Sequence, residues 1–269
     1  MNKDQDTGAT LRALYAPEGG TRAIFPTKVA DYAASRPDYP AALFEFLKNV
    51  CTPSLDTTVA DTGAGTGLLT RGLLSSGYKV IAVEPNPEMR RESDRLLGGT
   101  AGYSSAEGCA ESIPLQPASV HLITAAQAFH WFEIERARAE FLRVLAPQGQ
   151  VALIWNDRVQ EDPLHLALNG LFSQFGGDKR SALVVHEDLS DVPRFFGSAH
   201  PQELSWPHSH RLDESGFISL VFSRSYMPAR NTREGDEATE RARPIFHSFA
   251  VNGTVAIRYK TVVIIGRLT

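Results

Sequence analysis

The sequence has few of the features that mark secreted, membrane or nucleic-acid-binding proteins. Its two cysteines, Cys51 and Cys109, are too few for a disulfide scaffold or a cysteine-rich zinc site. It has no run of about 18 apolar residues that could cross a membrane, and residues 1–10 lack the apolar core of a secretory signal. The net charge of −4 shows no excess of basic residues of the kind that binds nucleic acid. We therefore expect a reduced, cytoplasmic protein without nucleic-acid or membrane partners.

What the sequence does have is the composition of an ordinary folded protein. Of its 269 residues, 42% are hydrophobic and 22% are charged, which is typical of a globular chain. The length suits one large α/β domain, or one domain with a modest extension. A chain of this size buries roughly three quarters of its unfolded surface, so it needs no metal or disulfide to stay folded. Residues 1–24 are polar and rich in Gly and Thr, and we predict that they form a flexible arm.

From residue 57 onward, short apolar runs alternate with amphipathic stretches of helical spacing. The apolar runs predict strands at 57–61, 79–83, 120–125 and 150–155. The stretches between them predict helices at 68–74, 87–97 and 134–145. Alternation at this spacing indicates βαβ units, and hence a mainly parallel sheet with helices on both faces.

The pattern changes after residue 156. A helix is predicted to begin at Asp162 and to end at the pair Gly176–Gly177. In the segment after this helix, a strand pattern is clear only near 203–208. After the turn signal Asn252–Gly253, residues 255–265 predict one long or two short terminal strands.

A glycine-rich loop between the first predicted strand and helix is the most informative stretch. Gly63, Gly65 and Gly67 follow Asp61, and such glycines let the backbone approach a ligand closely. The helix that follows offers free N–H groups and the positive end of its dipole. Loops of this kind bind nucleotide-like cofactors at the carboxyl ends of parallel strands.

The spacing within the loop discriminates between cofactors. A phosphate-binding loop needs Gly-Lys-Ser/Thr, whereas Leu68 and Leu69 follow Gly67. A dinucleotide fingerprint that starts at Gly63 needs its third glycine at position 68, which is also leucine. Glu84, at the end of the next predicted strand, suits the hydroxyls of a ribose. That acid alone fits both NAD and S-adenosylmethionine.

At this point the sequence resembles the class I S-adenosylmethionine-dependent methyltransferases. The resemblance extends over about residues 25–156 and is weaker beyond. Its segments are 61–67, 82–89, 109–115, and 127–132 followed by 143–150. Phe25, Tyr32 and Arg36, with the prolines near them, also resemble the N-terminal segment of a small-molecule subgroup that includes trans-aconitate methyltransferase-like enzymes.

The resemblance implies a fold and a division of the chain. The fold is a Rossmann-like, mainly parallel seven-stranded sheet with helices on both faces, an antiparallel C-terminal strand and a helical insertion that covers the substrate. Residues 25–269 would then form a single methyltransferase domain. Its parts would be lid helices at 25–56, the cofactor-binding core at 57–156, a substrate-covering region at 157–250 and the terminal strand at 251–269.

The resemblance also implies which residues bind S-adenosyl-L-methionine. The glycines would pass close to the methionine moiety and Glu84 would hold the ribose diol. Glu111 would accept from the adenine amine, and Arg36 would hold the cofactor carboxylate as a bidentate partner. The implied cofactor-binding residues are Tyr32, Arg36, Asp61, Gly63, Ala64, Gly65, Gly67, Glu84, Pro85, Met89, Ala110, Glu111 and Gln127.

Methyl transfer is an in-line displacement at a carbon that the cofactor has already activated, so no strong catalytic residue is obligatory. Two groups are candidates for a general base, His130 and Asp157, since both follow predicted strands on the cofactor side. A structural role is the alternative for each of these residues. No cluster of residues has metal-ligand spacing, and we expect no metal.

The acceptor site has weaker signals. Arg224 could bind a substrate carboxylate or make a plain salt bridge. The predicted substrate-binding residues are Trp131, Phe132, Asn156, Arg224 and Tyr226. The sequence thus predicts methyl transfer to an O or N atom of a small molecule by a monomer or homodimer. A non-catalytic S-adenosylmethionine-binding module is an alternative, and an NAD-dependent oxidoreductase is a less favoured one because of Leu68.

Overall fold

A seven-stranded sheet forms the centre of the part of the chain that the structure describes. The computed structural model describes residues 7–18, 28–54, 56–185 and 189–269. Phe25 of the N-terminal segment lies outside them. The strands are β1 (Thr58–Thr62), β2 (Lys79–Val83), β3 (Tyr103–Ala106), β4 (Val120–Ala126), β5 (Leu145–Arg158), β6 (Gln202–Leu212) and β7 (Val255–Gly266).

The strand order across the sheet is β3-β2-β1-β4-β5-β7-β6. The first five strands are parallel, β7 is antiparallel to β5, and β6 is antiparallel to β7. The predicted Rossmann-like fold, with its mainly parallel seven-stranded sheet, is therefore confirmed. The sequence did not predict β3, and it predicted only part of β6. The polar, half-buried β3 has no apolar run to reveal it, and β6 extends well beyond the predicted 203–208.

Helices cover both faces of the sheet. They are α1 (Thr7–Tyr15), α2 (Val29–Ser35), α3 (Ala41–Val50), α4 (Leu68–Ser75), α5 (Pro87–Leu97), α6 (Ile134–Val144), α7 (Pro163–Val185), α8 (Asp191–Phe196), α9 (Glu214–Phe222) and α10 (Arg233–Phe249). A short 3₁₀ turn spans Phe129–Trp131. The helix predicted to end at Gly176–Gly177 is instead broken there within α7. Gly177 has a φ of 50° and a ψ of −144°, and a second helical stretch follows it.

Clusters of buried side chains hold these layers together. Alternate residues of β1 point to opposite faces: Val59 packs with α3 and α4, and Ala60 packs with Phe141 of α6 and Phe195 of α8. A separate apolar cluster joins α7, α9 and α10 to the adjoining ends of β6 and β7. Within the described ranges, no helix is both long and apolar enough to cross a membrane.

The flexible arm predicted for residues 1–24 is wrong for the portion that the structure describes. Residues 7–15 form α1, whose Leu11 and Tyr15 are fully buried. These two apolar residues lie four positions apart, on one face of the helix. The Tyr15 ring packs edge-on against Trp131 with centroids 5.3 Å apart, and its hydroxyl donates to Ser225 Oγ at 2.9 Å. The helix is therefore tied to the loops that surround the site.

Candidate active site

The glycine loop joins β1 to α4 at the carboxyl edge of the parallel strands. Gly63 has a φ of 71°, and a Cβ placed there would lie 2.6 Å from the Cβ of Ala128. Gly65 has a φ of 58°, and its N–H donates to Glu84 Oε2 at 2.8 Å. Both positions therefore require glycine, because each has a positive φ. Gly63 also requires it because a side chain there would clash with Ala128.

A cavity of about 120 Å³, here called the first cavity, opens beside this loop. Most of the predicted cofactor-binding residues lie in its wall. They are Tyr32, Gly63, Gly65, Glu84, Pro85, Met89, Ala110, Glu111 and Gln127. Cys109, Ala126 and Ala128 also line it and were not singled out from the sequence, since each is a small neighbour of a predicted residue.

Glu84 is the acid of the first cavity and is almost fully buried. Its Oε2 accepts from the Gly65 N–H and its Oε1 from the Asn86 N–H, each at 2.8 Å. Burial raises the pKa of Glu84 to about 7, against these two hydrogen bonds, which favour the charged form. The carboxylate is thus held rigidly at the end of β2, where it faces the cavity.

Asp61, Ala64 and Gly67 do not line the first cavity, and their contact with the cofactor stays a prediction. Asp61 is only 1% exposed. Its two oxygens accept from Thr70 Oγ1 at 2.6 Å and from Thr124 Oγ1 at 2.8 Å. The carboxylate therefore ties α4 and β4 to β1 beneath the loop. Burial raises its pKa to about 6. Gly67 begins α4 and packs against α5.

A second cavity, of about 460 Å³, adjoins the first. Three residues belong to the walls of both, namely Tyr32, Gln127 and Trp131. Gln127 has a φ of 55°, which is uncommon for a residue other than glycine and recurs at functional sites. Its N–H donates to Ile154 O at 2.9 Å, and its side-chain amide donates to Asn156 O at 3.3 Å. This strained residue therefore stands where the two cavities meet.

Most of the predicted acceptor-side residues line the second cavity. They are His130, Trp131, Asn156, Asp157, Arg224 and Tyr226. Phe132 does not, because it packs with Phe129 and Phe141 and reaches only the first cavity. Arg158 and Lys260 also line the second cavity and were missed, because only the pairing of β5 with β7 brings them there.

Arg36, predicted to bind the cofactor carboxylate, lines the second cavity and not the first. Its Nη2 donates to Ser223 O at 3.1 Å, and its guanidinium lies 4.6 Å from the centre of the Tyr32 ring. Burial and then the charge of Arg224 lower the pKa of Arg36 to about 10. The side chain therefore faces another cation across the second cavity.

Asn156 and Asp157 lie within β5 and not after it, because the strand continues to Arg158. Asn156 accepts from Thr261 Oγ1 at 2.6 Å and donates to Pro37 O and Asp38 O at 3.5 and 3.4 Å. Its amide thus fixes the link between α2 and α3. Asp157 is exposed at the rim, opposite Lys260 of β7.

His130 lies in the 3₁₀ turn after β4, partly buried, with its ring 5.1 Å from that of Trp131. It faces the second cavity, where a proton from an acceptor could reach it. Among the described residues, no three His, Cys, Asp or Glu side chains lie close enough together to hold a metal ion.

Comparison with known proteins identifies the family. Residues 60–153 match the model of a methyltransferase domain family. An uncharacterized methyltransferase of Mycobacterium tuberculosis is 32% identical over 241 residues, which are 88% of this chain and 93% of that protein. An uncharacterized methyltransferase of Schizosaccharomyces pombe is 40% identical over 140 residues, 52% of this chain and 55% of that one.

The fold is shared as well. The solved structure of a candidate type II methyltransferase from Anaeromyxobacter dehalogenans is similar, with a TM-score of 0.61 and 24% identity over 86% of this chain and 97% of that one. The trans-aconitate subgroup is not singled out by these similarities and stays a prediction. With its strand order, its glycine loop and these relatives, the chain belongs to the class I S-adenosylmethionine-dependent methyltransferases.

Proposed function

We propose that this chain transfers a methyl group from S-adenosylmethionine to an O or N atom of a small-molecule acceptor. The observation that carries the proposal is the meeting of two cavities at Tyr32, Gln127 and Trp131. The first cavity has the glycine loop and a ribose acid, as the cofactor requires. The second is larger and partly polar, as a separate acceptor requires.

The residues of the first cavity fit the cofactor part by part. Gly63 and Gly65 leave room for the methionine moiety beside the loop. Glu84, with two oxygens at the cavity wall, can accept from both ribose hydroxyls. Pro85 and Met89 supply apolar surface for the adenine ring. Glu111 accepts from the Glu133 N–H at 2.7 Å, which fixes its carboxylate beside the adenine edge.

The bound cofactor supplies an electrophilic methyl group, and the chain supplies position and a proton acceptor. Alignment of two bound reactants contributes several kcal/mol to lowering the barrier. Gln127 and Trp131 belong to the walls of both cavities, so a donor bound in the first and an acceptor bound in the second would meet beside them. His130 accepts the proton that an attacking hydroxyl or amine releases, with Asp157 as the second candidate.

The test is parallel calorimetric titration with S-adenosylmethionine and NAD, followed by measurement of S-adenosylhomocysteine release with a panel of acceptors. Binding of S-adenosylmethionine alone, with turnover on an acceptor, supports the proposal. Binding without turnover on any acceptor favours a non-catalytic module. Binding of NAD, or of neither ligand, overturns the cofactor assignment.

We also propose that the enzyme works in the cytoplasm as a monomer or homodimer, without nucleic-acid or membrane partners. The slight acidity of the chain supports the first exclusion. Light scattering of the purified chain tests the oligomeric state. Fractionation of cells that express the tagged chain tests its location.

A further inference from the structure

Three buried hydrogen-bond donors beside the second cavity have no partner among the described residues. They are the Nε atoms of Arg36 and Arg224, which line the cavity, and the hydroxyl of Tyr259, whose neighbours Arg158 and Lys260 line it. Tyr259 is only 3% exposed. Buried polar groups are nearly always satisfied, because an unpaired one carries the full cost of losing its water. Three unpaired donors in one region therefore indicate a missing acceptor.

Positive charge converges on the same region. The guanidinium groups of Arg158 and Arg224 lie 5.4 and 5.8 Å from the centre of one ring, that of Phe172. Burial raises the pKa of Tyr259, while the charges of Arg224, Arg36 and Arg158 act on it in the opposite direction. Arg158 is the strand partner of Tyr259, and the charges of Arg224 and Arg36 act on the same hydroxyl.

The carboxylates near Arg36 and Arg224 in the described part of the chain lie at the exposed mouth of the cavity or are paired elsewhere. Asp157 and Glu161 line the second cavity, but both side chains are exposed. Arg158 donates to the neutral amide oxygen of Asn169 at 3.1 Å. Asp162 is paired with Arg258, whose Nε lies 2.6 Å from Asp162 Oδ2. Arg36 and Arg224 therefore bring two positive charges to the wall of the second cavity.

We infer that Arg36, Arg224 and Tyr259 form an oxyanion-binding subsite that holds a carboxylate or phosphate group of the methyl acceptor. The inference rests on the proposed function, since it assigns one end of the acceptor. It also moves Arg36 from the cofactor to the acceptor. A planar guanidinium pairs with such oxyanions through two parallel hydrogen bonds, and the tyrosine hydroxyl donates a further one.

The first experiment uses inorganic phosphate and succinate as probes, with the affinity for each measured by calorimetry on the full chain. Affinity for S-adenosylhomocysteine is measured separately. We expect Arg224→Gln and Arg36→Gln each to weaken anion binding by more than about tenfold, because each removes a charge-assisted pair. Both variants should keep the wild-type affinity for S-adenosylhomocysteine.

Lys260→Gln is the matched control, since it removes one positive charge from the exposed rim of the same cavity. A surface charge contributes little, so we expect a change in anion affinity of less than about threefold. An equal loss in Lys260→Gln and Arg224→Gln would mean general attraction without a subsite, and would overturn the inference.

Tyr259→Phe distinguishes a ligand-binding role of the tyrosine hydroxyl from a purely structural one. The substitution removes only a buried, unpaired hydroxyl, so the ligand-free protein should melt at a higher temperature. The same variant should bind phosphate or succinate several-fold more weakly than the wild type. A lower melting temperature, or unchanged anion affinity, would remove Tyr259 from the subsite.

The two probes also distinguish the acceptor's acid group. Tighter binding of succinate indicates a carboxylic acid, and tighter binding of phosphate indicates a phosphate ester. Failure of both to bind would overturn the subsite even where S-adenosylhomocysteine binds normally. Loss of S-adenosylhomocysteine affinity in Arg36→Gln, with anion binding intact, would return Arg36 to the cofactor. Failure of wild-type protein to bind S-adenosylhomocysteine defeats the proposed function instead.

Discussion

The two cavities are built in different ways, although they share a wall. The first is lined largely by residues at the carboxyl ends of β1, β2 and β4, which parallel strands bring to one edge. The second draws on α2, β5, α7, the loop after α9 and β7, which are far apart in the chain. One site is thus made of local motifs, and the other exists only after tertiary packing.

The most direct test of this difference is a substitution that fills the first cavity and leaves the second unchanged. Gly65→Val places a branched side chain at a backbone φ of 58°, where no atom of the described chain lies within 4 Å of the new Cβ. We expect affinity for S-adenosylhomocysteine to fall by more than about 100-fold, because the side chain occupies the ligand's approach to the loop. Calorimetry measures the loss.

Gly253→Val is the matched control for backbone strain. Gly253 has a φ of 73° and equally open surroundings, but it lies in the turn before β7. Both variants should lose about 1–3 kcal/mol of stability in urea unfolding, since both force valine into a left-handed conformation. Wild-type cofactor affinity in Gly65→Val would refute the assignment of the first cavity.

The next largest effect separates chemistry in the second cavity from binding in the first. His130→Ala should lower kcat by about 100-fold, as expected when a general base is lost, and leave affinity for S-adenosylhomocysteine unchanged. The measurement is the pH dependence of S-adenosylhomocysteine release with a competent acceptor. An unchanged rate and pH profile would assign His130 to packing against Trp131.

The contrast between the cavities explains how much of each could be predicted. Strand β2 and helix α5 have the predicted bounds, because apolar runs and a capped amphipathic helix are local signals. Glu84 was found from its place at the end of β2. Tyr259, by contrast, gains significance only through its pairing with Arg158 across β5 and β7. No spacing in the sequence reveals that register.

Arg36 illustrates the same limit from the other side. The sequence indicated a functional arginine, and the structure places it beside the predicted cofactor site. Which cavity it serves depends on how α2 lies against α9 and the residues that follow it. The bidentate contact of Arg230 with Asp31 and the hydrogen bond from Arg36 to Ser223 O set that position. Such contacts join residues almost 200 positions apart.

A smaller effect concerns the pH dependence of the first cavity. The folded state raises the pKa of Glu84 from its ordinary value of 4.5 to about 7. The folded protein therefore holds this proton more tightly than the unfolded chain does. Its contribution to stability is fully present below pH 4.5 and is lost as the pH rises through about 7. Asp61 acts in the same direction.

Cofactor affinity has the opposite pH dependence to stability, because a charged carboxylate accepts stronger hydrogen bonds from the two ribose hydroxyls. We expect the affinity of wild-type protein for S-adenosylhomocysteine to increase between about pH 6 and pH 8. Glu84→Gln should bind about tenfold more weakly at pH 8 and lose most of this dependence. Calorimetry at three pH values measures both. Asp61→Asn removes a charge that helps to raise the pKa of Glu84, so it should shift the rise in affinity to lower pH.

The smallest effect tests whether the rim of the second cavity belongs to its chemistry. Asp157 is exposed and lies opposite Lys260, so water screens its charge and its pairing contributes at most about 1 kcal/mol. Asp157→Asn should therefore lower kcat by no more than about threefold, against about 100-fold for His130→Ala. A loss as large as that of His130→Ala, with cofactor affinity intact, would make the exposed carboxylate the proton acceptor. The reacting atom would then lie at the mouth of the second cavity, and an acid group of the acceptor would have to extend inward from there to reach Arg224.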